Sequence, residues 1–403
     1  MTPPTQAAAL LTPAGEELLD RLRGQMITPE RAMRLTEELR GRYPAELVAA
    51  ALTQQSLRMA ARGKFSRADE MFFTRAGLEQ ASAEVTARHS ARRFTGLTAV
   101  ADLCCGIGGD LIALATVAER VLAVDADWDT LRFARRNVAS HAMATVTFVC
   151  ADVQKLAPGD LAGVAGVFID PARRTPGRRM RTGDSQPPLE WCLGLTSQVA
   201  LVGIKAAPGL AHDVIPAGWE AEFVAVGRAL KEALLWSPSL ATAQRRATVL
   251  PTGDTLVAES GPPVPVADPG EYLLDPNPAV TRARLVQELG RKLGAWQIDP
   301  MIAFLSVDMP VSTPFARTLR ILDSLPWHEK QAARKLRDLG VGTADIRRRG
   351  LAGDVEQIHR RLGLRGDRSA TIVLTRREGK PWGLICEDVA VNGHHQPTDQ
   401  SPR

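Results

Sequence analysis

The sequence predicts an α/β fold, an open doubly wound sheet with a helical region before it and an α+β module after it. Three observations carry this. Four short apolar runs each close on an aspartate, at Asp102, Asp125, Asp152 and Asp170. Helical patterns fall between those runs, the alternation that builds a parallel sheet. The first run passes directly into a glycine-rich turn (Gly106, Gly108, Gly109) that opens a helix, the build of a nucleotide-type cofactor site.

Residues 1–90 read as helices, because Glu16–Leu22, Glu30–Leu39 and Leu47–Leu52 carry apolar residues at three-to-four spacing. Pro29 follows Thr28 at a natural first helical position, and Pro44 separates two segments. Arg58, Arg62, Lys64 and Arg67 read as a solvated basic helix face. Met71-Phe72-Phe73 form either a lip over the cofactor or a satellite core; periodicity leaves both open. Residues 91–250 hold the main sheet, with helices at Trp128–Val138 and Pro188–Leu195. A strand at Val199–Lys205 follows, then a hairpin around Gly227. Residues 251–270 are a linker by their Pro and Gly content, and 271–390 form the second module. That module has helices over 281–289 and 331–339 and a strand at Ala370–Thr375. The polar tail, 391–403, reads as disordered.

Composition narrows the chemistry. The net charge of +5 is mild, and 45% hydrophobic residues suffice for two or three cores. No apolar stretch reaches membrane-spanning length and no leader-like start is present, so a cytoplasmic protein without membrane contact is expected. The five cysteines lack metal-ligand spacing, which predicts no structural metal.

The glycine turn discriminates among cofactors. A dinucleotide fingerprint would need a third glycine where Leu111 stands, and a phosphate-binding P-loop would need a Gly-Lys-Ser/Thr that is missing. Asp102 four residues before Gly106, followed by G-x-G-G, looks like the first motif of the class I S-adenosylmethionine-dependent methyltransferases. Asp125, 23 residues after Asp102 at a second strand tip, is placed for a ribose diol. Asp152 at the third tip is placed for an adenine amino group. The expected cofactor-binding set is Asp102, Cys104, Gly106, Gly108, Gly109, Asp125, Ala126, Asp152 and Val153, for S-adenosyl-L-methionine.

Directly after Asp170-Pro171 come Arg173, Arg174, Arg178, Arg179 and Arg181, with no acid until Asp184. Guanidinium forks match phosphate oxygens in two-point contacts, which points to a nucleic acid. In amino-group methyltransferases an Asp/Asn-Pro-Pro-aromatic turn accepts from the target nitrogen and stacks on the base. Asp170 and Pro171 keep the acceptor part, whereas Ala172 and Arg173 replace the second proline and the aromatic. Arg173, Trp191 or Phe72 is then expected to stack. Asp170, Pro171 and Arg173 are the candidate catalytic residues.

Residues 64–250 resemble the class I methyltransferases, and within them the branch that includes the RNA cap guanine-N2 methyltransferase (trimethylguanosine synthase). Ser82-Ala-Glu-Val, Asp102-Leu-Cys-Cys-Gly-Ile-Gly-Gly, Val124-Asp125 and Cys150-Ala-Asp152 carry that likeness; Asp170-Pro-Ala-Arg departs from the cap enzymes' Pro-Pro-Trp. Tyr272-Leu-Leu-Asp-Pro-Asn-Pro-Ala-Val, Thr313-Pro-Phe-Ala-Arg317 and Asp345–Gly350 look like the THUMP-like domain of related bacterial enzymes. The resemblance implies a Rossmann-like sheet, a C-terminal α+β THUMP-like domain, and a structured RNA (tRNA or rRNA) as substrate. On that reading Arg174, Arg178, Arg179, Arg181, Arg347 and Arg348 hold substrate, with Arg317, Arg320, Lys335, Arg337 and Arg349 as further phosphate contacts or a solvated basic face. The function expected is transfer of a methyl group to an RNA base nitrogen. DNA or protein methylation with the same cofactor, or RNA binding without catalysis on the same scaffold, are the alternatives.

Overall fold

The structure, a computed structural model, describes residues 6–141, 144–172, 185–351 and 354–389. The chain divides into two compact units, one of Met1–Glu222 with Glu232–Thr242, the other of Phe223–Lys231 with Ala243–Arg403.

The first unit begins with helices α1 (Gln6–Leu10), α2 (Pro13–Leu22), α3 (Pro29–Leu39) and α4 (Ala45–Ala61). Thr12 and Thr28 cap α2 and α3, each side-chain oxygen accepting an amide of the first turn, with proline behind it as the first helical residue. Leu18, Leu19, Leu22, Leu39, Val48 and Ala51 close the helices on one core. Arg58 corrects the expectation of a solvated face. It is 3% exposed, donates to the Met71 carbonyl and lies over the Phe72 ring. Met71, Phe72 and Phe73 are core residues as well, so Phe72 is unavailable to stack on a substrate.

After α5 (Arg75–Gln80) and α6 (Glu84–Ala91) the sheet begins. Its elements are β1 (Ala99–Leu103), α7 (Gly109–Leu114), β2 (Arg120–Asp125), α8 (Trp128–Ala139), β3 (Thr145–Cys150), β4 (Gly166–Ile169), α9 (Leu189–Gly194), β5 (Leu201–Ala206), β6 (Glu220–Val226) and β7 (Ala229–Trp236). The strand order is β3-β2-β1-β4-β5-β7-β6. Parallel pairing runs from β3 to β5, and β7 lies antiparallel to β5. The order reverses between β1 and β4, and such a reversal opens a crevice at the strands' carboxyl ends. All four aspartates of the sequence pattern stand at that edge.

In the second unit the outer part of the β6–β7 hairpin is joined by β8 (Arg245–Leu250) and β9 (Asp254–Val257). The stretch expected to be a linker therefore contains a strand, paired to β8. Its proline-rich part also packs, with Val264 buried and Val266 bridged to Gln297. Next come β10 (Tyr272–Pro276), α10 (Pro278–Arg282), α11 (Val286–Leu293), β11 (Trp296–Gln297), β12 (Leu305–Val307), β13 (Ala316–Pro326), α12 (Glu329–Asp338), β14 (Val341–Arg348), α13 (Val355–Leu362), β15 (Arg368–Arg377) and β16 (Lys380–Asp388). They build a second sheet of order β11-β12-β10-β13-β16-β15-β14. The helix expected over 281–289 is broken, because Arg284 turns left-handed (φ 57°) between α10 and α11. Arg245 of β8 clamps that break, donating to the carbonyls of Ala283 and Arg284.

Candidate functional site

The site grows from the loop between β1 and α7. Cys104, Gly106 and Gly108 all take positive φ (63°, 56° and 92°), which tightens the chain into a turn. The Cys105 amide donates to the Val124 carbonyl, tying the loop to the end of β2. A Cβ on Gly106 would meet nothing within 4 Å, so the loop faces open space there. One on Gly109 would sit 3.2–3.3 Å from the Ser82 backbone, so that glycine lets α7 approach the segment before α6. Buried Asn137 of α8 steadies the loop by donating to Ile107 and Phe72 carbonyls and accepting the Phe72 amide.

The acids then take different roles. Asp125 accepts the amides of Gly106 (2.8 Å) and Asp127 (2.9 Å), and burial still pushes its carboxyl above the ordinary range. Ala126 and Trp128 beside it are exposed. Asp152 caps the short turn that follows β3, accepting the Gln154 amide, with Val153 buried beneath it. Asp102 is 1% exposed, and its Oδ2 has no hydrogen-bond partner. Burial first, then Asp110, Asp170 and Asp125, push its carboxyl well up, with Lys205 pulling the other way.

Asp170 follows β4, its amide donating to the Leu103 carbonyl of β1. Pro171 is buried, and Ala172 exchanges two backbone hydrogen bonds with Gln186. The intervening arginines, Arg173, Arg174, Arg178, Arg179 and Arg181, lie outside the described residues. Trp191, the remaining stacking candidate, is half-buried on α9.

Sequence reasoning missed the group that meets Asp170. Lys205 of β5 donates to Asp170 Oδ2 at 2.5 Å and to Ser82 Oγ, and lies 3.5 Å from Asp110 Oδ2. Ser82 in turn donates to Asp110 at 2.5 Å. The available signal was a lone charge ending an otherwise apolar strand, together with Asp110 directly after Gly109.

The fold and this edge have counterparts among known proteins. Residues 100–169 match a model described as a methyltransferase domain, 316–388 one described as THUMP domain-like, and 4–61 a domain of unknown function. A solved structure from Porphyromonas gingivalis W83, assigned as a methyltransferase, superposes with a TM-score of 0.73 at 19% identity, covering 91% of this chain and all of that one. An uncharacterized S-adenosylmethionine-dependent methyltransferase of Mycobacterium tuberculosis, found in two strains, is 37% identical over 314 residues, 76% of this chain and 85% of that protein. The chain belongs to the S-adenosylmethionine-dependent methyltransferases.

The methyltransferase's own residues fit that cofactor. Open space at Gly106, carboxylates at Asp125 and Asp152, and the orphaned oxygen of Asp102 gather at one sheet edge. When bound, S-adenosylmethionine supplies an electrophilic methyl group on a sulfonium, open to in-line attack with a thioether as leaving group. The enzyme's task is alignment and exclusion of water, with little acid–base work. Burial pushes the Cys104 and Cys105 thiols up, and Cys192 up to about 12, which disfavours the thiolate form of these three.

The second unit spends most of its predicted phosphate-binding cations on acids. Arg317 pairs with Asp388 and Asp345, Arg320 with Glu387, Lys335 with Asp323, and Arg347 with Asp345. Arg349 turns inward, bound to Asp275 (2.9 Å) and stacked over Phe304. It is a structural residue of the THUMP-like unit. Among the described residues no helix is long and apolar enough to cross a membrane, and no group of His, Cys, Asp or Glu is arranged to hold a metal ion.

Proposed function

We propose that this methyltransferase modifies a base nitrogen of a structured RNA, tRNA or rRNA, in the cytoplasm. One observation carries the reading. The twelve-residue segment 173–184, with its five arginines, begins and ends at the Ala172–Gln186 bridge, two residues from Asp170. A polyanion held by those guanidiniums would be held beside the acceptor carboxylate.

In this reading Asp170 accepts a hydrogen bond from the target amino group and aims its lone pair at the methyl carbon. A bound donor would supply the methyl group, its C–S bond breaking as the C–N bond forms with the electron pair left on the departing thioether, and the nitrogen would then release one proton. Pro171 stiffens the turn, and Arg173 offers a planar face to the base. Asp125 and Asp152 hold the ribose and adenine ends of the donor, and Cys104, Gly106, Gly108, Gly109, Ala126 and Val153 shape the space around it. Arg348, at the end of β14 in the second unit, is read as a separate phosphate contact, whereas Arg347 is paired with Asp345. Kinship to the cap guanine-N2 branch is part of this reading, although Ala172-Arg173 in place of Pro-Trp argues for a different base.

The test is incubation with label-carrying S-adenosylmethionine and total RNA, DNA or protein in parallel. Label in RNA supports the reading, and mass spectrometry of its nucleosides identifies the base. Label confined to DNA or protein would overturn it.

A further inference from the structure

β5 is apolar apart from Lys205, whose side chain is only 4% exposed. An ammonium taken out of water is costly, and an aliphatic side chain would fill the strand position without that cost. What surrounds it is therefore informative. Ser82 precedes α6, Asp110 opens α7 directly after the glycine loop, and Asp170 lies in the turn after β4. The carboxylate of Glu232, on β7, also attracts this ammonium. Asp110 and Ser82 are buried, whereas the Asp170 side chain is 21% exposed and is the member that reaches solvent. One ammonium thus joins the loop that shapes the donor side to the carboxylate on the acceptor side.

We propose that Lys205 is a positioning residue for methyl transfer, a brace that fixes Asp170 relative to the glycine loop through Asp110 and Ser82. The proposal rests on the reading of Asp170 as the acceptor carboxylate. In-line displacement is steep in distance and angle, so a carboxylate with a free rotamer loses more in turnover than in binding.

The experiment compares wild type with K205M, D170N and K205M/D170N, using labelled S-adenosylmethionine and total cellular RNA in single turnover. Calorimetric titration of S-adenosylhomocysteine and thermal unfolding accompany each variant. K205M is expected to slow turnover about 100-fold. Its product affinity should stay within about threefold, because no donor contact is removed. The double variant should be no slower than D170N alone, since both changes remove one unit. K205R, which keeps the cation, should recover part of the rate. A K205M enzyme at wild-type turnover beside an inactive D170N would sink the brace and spare the acceptor reading. Full activity in D170N would sink both. Losses that multiply in the double variant would also overturn the proposal. Should K205M fail to fold, D110N is read in its place, with slowed turnover expected and an unchanged rate overturning the brace.

Discussion

Glu232 is 3% exposed, and burial raises its carboxyl from an ordinary 4.5 to about 7 against the pull of Lys205. Between those values the folded chain keeps a proton that the unfolded chain releases. The group's contribution is therefore fully present below 4.5 and is lost as pH rises to 7. Urea unfolding of wild type should show this fall, on the order of 2–3 kcal/mol. E232Q should flatten it, and an unchanged slope would place the titration elsewhere. Asp125 makes a second prediction. It lies at the β2 tip and holds the Gly106 amide, so D125A should weaken S-adenosylmethionine binding roughly tenfold to a hundredfold by calorimetry. Asp125 and Asp152 were legible because each closes an apolar run. Lys205 and Glu232 were not, because a charge in a strand declares itself functional only once its neighbours from four other segments are known.

At the level of elements, local chemistry was the more legible part. Thr28-Pro29 predicts the start of α3, and the cap forms, Thr28 Oγ1 accepting the Arg31 amide. T28A should cost about 1 kcal/mol, read as a lower urea midpoint with unchanged cofactor affinity. The glycine loop follows the same logic with a larger consequence. Gly108 sits at φ 92°, and a Cβ there would make ordinary contact with Ala134, so the penalty in G108A is one of backbone conformation. That penalty is about 1–2 kcal/mol, and it should appear both as lower stability and as weaker S-adenosylmethionine binding. Two elements escaped, and both touch β8. β9 lies inside a Pro/Gly-rich stretch, and the break at Arg284 lies inside a helical pattern. Both are set by β8, which pairs with β9 and holds the carbonyls at the break. β9 pairs locally, in a tight hairpin masked by the proline and glycine around it, whereas the break at Arg284 depends on Arg245, 38 and 39 residues from the carbonyls it holds.

For the molecule as a whole, the proposed RNA substrate asks which cations would meet it. Replacing Arg173, Arg174, Arg178 and Arg179 should weaken RNA binding and flatten its dependence on salt, because fewer counterions are released. Arg349 gives the contrast. It shares Asp275 with Arg228, so R349M should lower stability by roughly 1–3 kcal/mol and leave the salt slope of RNA binding where it was. A reduced slope in R349M would return that residue to the phosphate-binding set.

The sequence by itself determined the α/β sheet, the glycine loop and the order of acids along one edge, because each is written in spacing and turn chemistry between Asp102 and Asp170, and the family resemblance of that stretch named the cofactor. The tertiary structure alone decided which charges are working parts and which are ties. It buried Arg58 of α4 against Met71 and Phe72, turned Arg349 onto Asp275, and brought Lys205 between Asp110 and Asp170. The physical reason is that a charge's role depends on what faces it after folding, and Asp170, Asp110 and Ser82 stand 35, 95 and 123 residues from Lys205 along the chain.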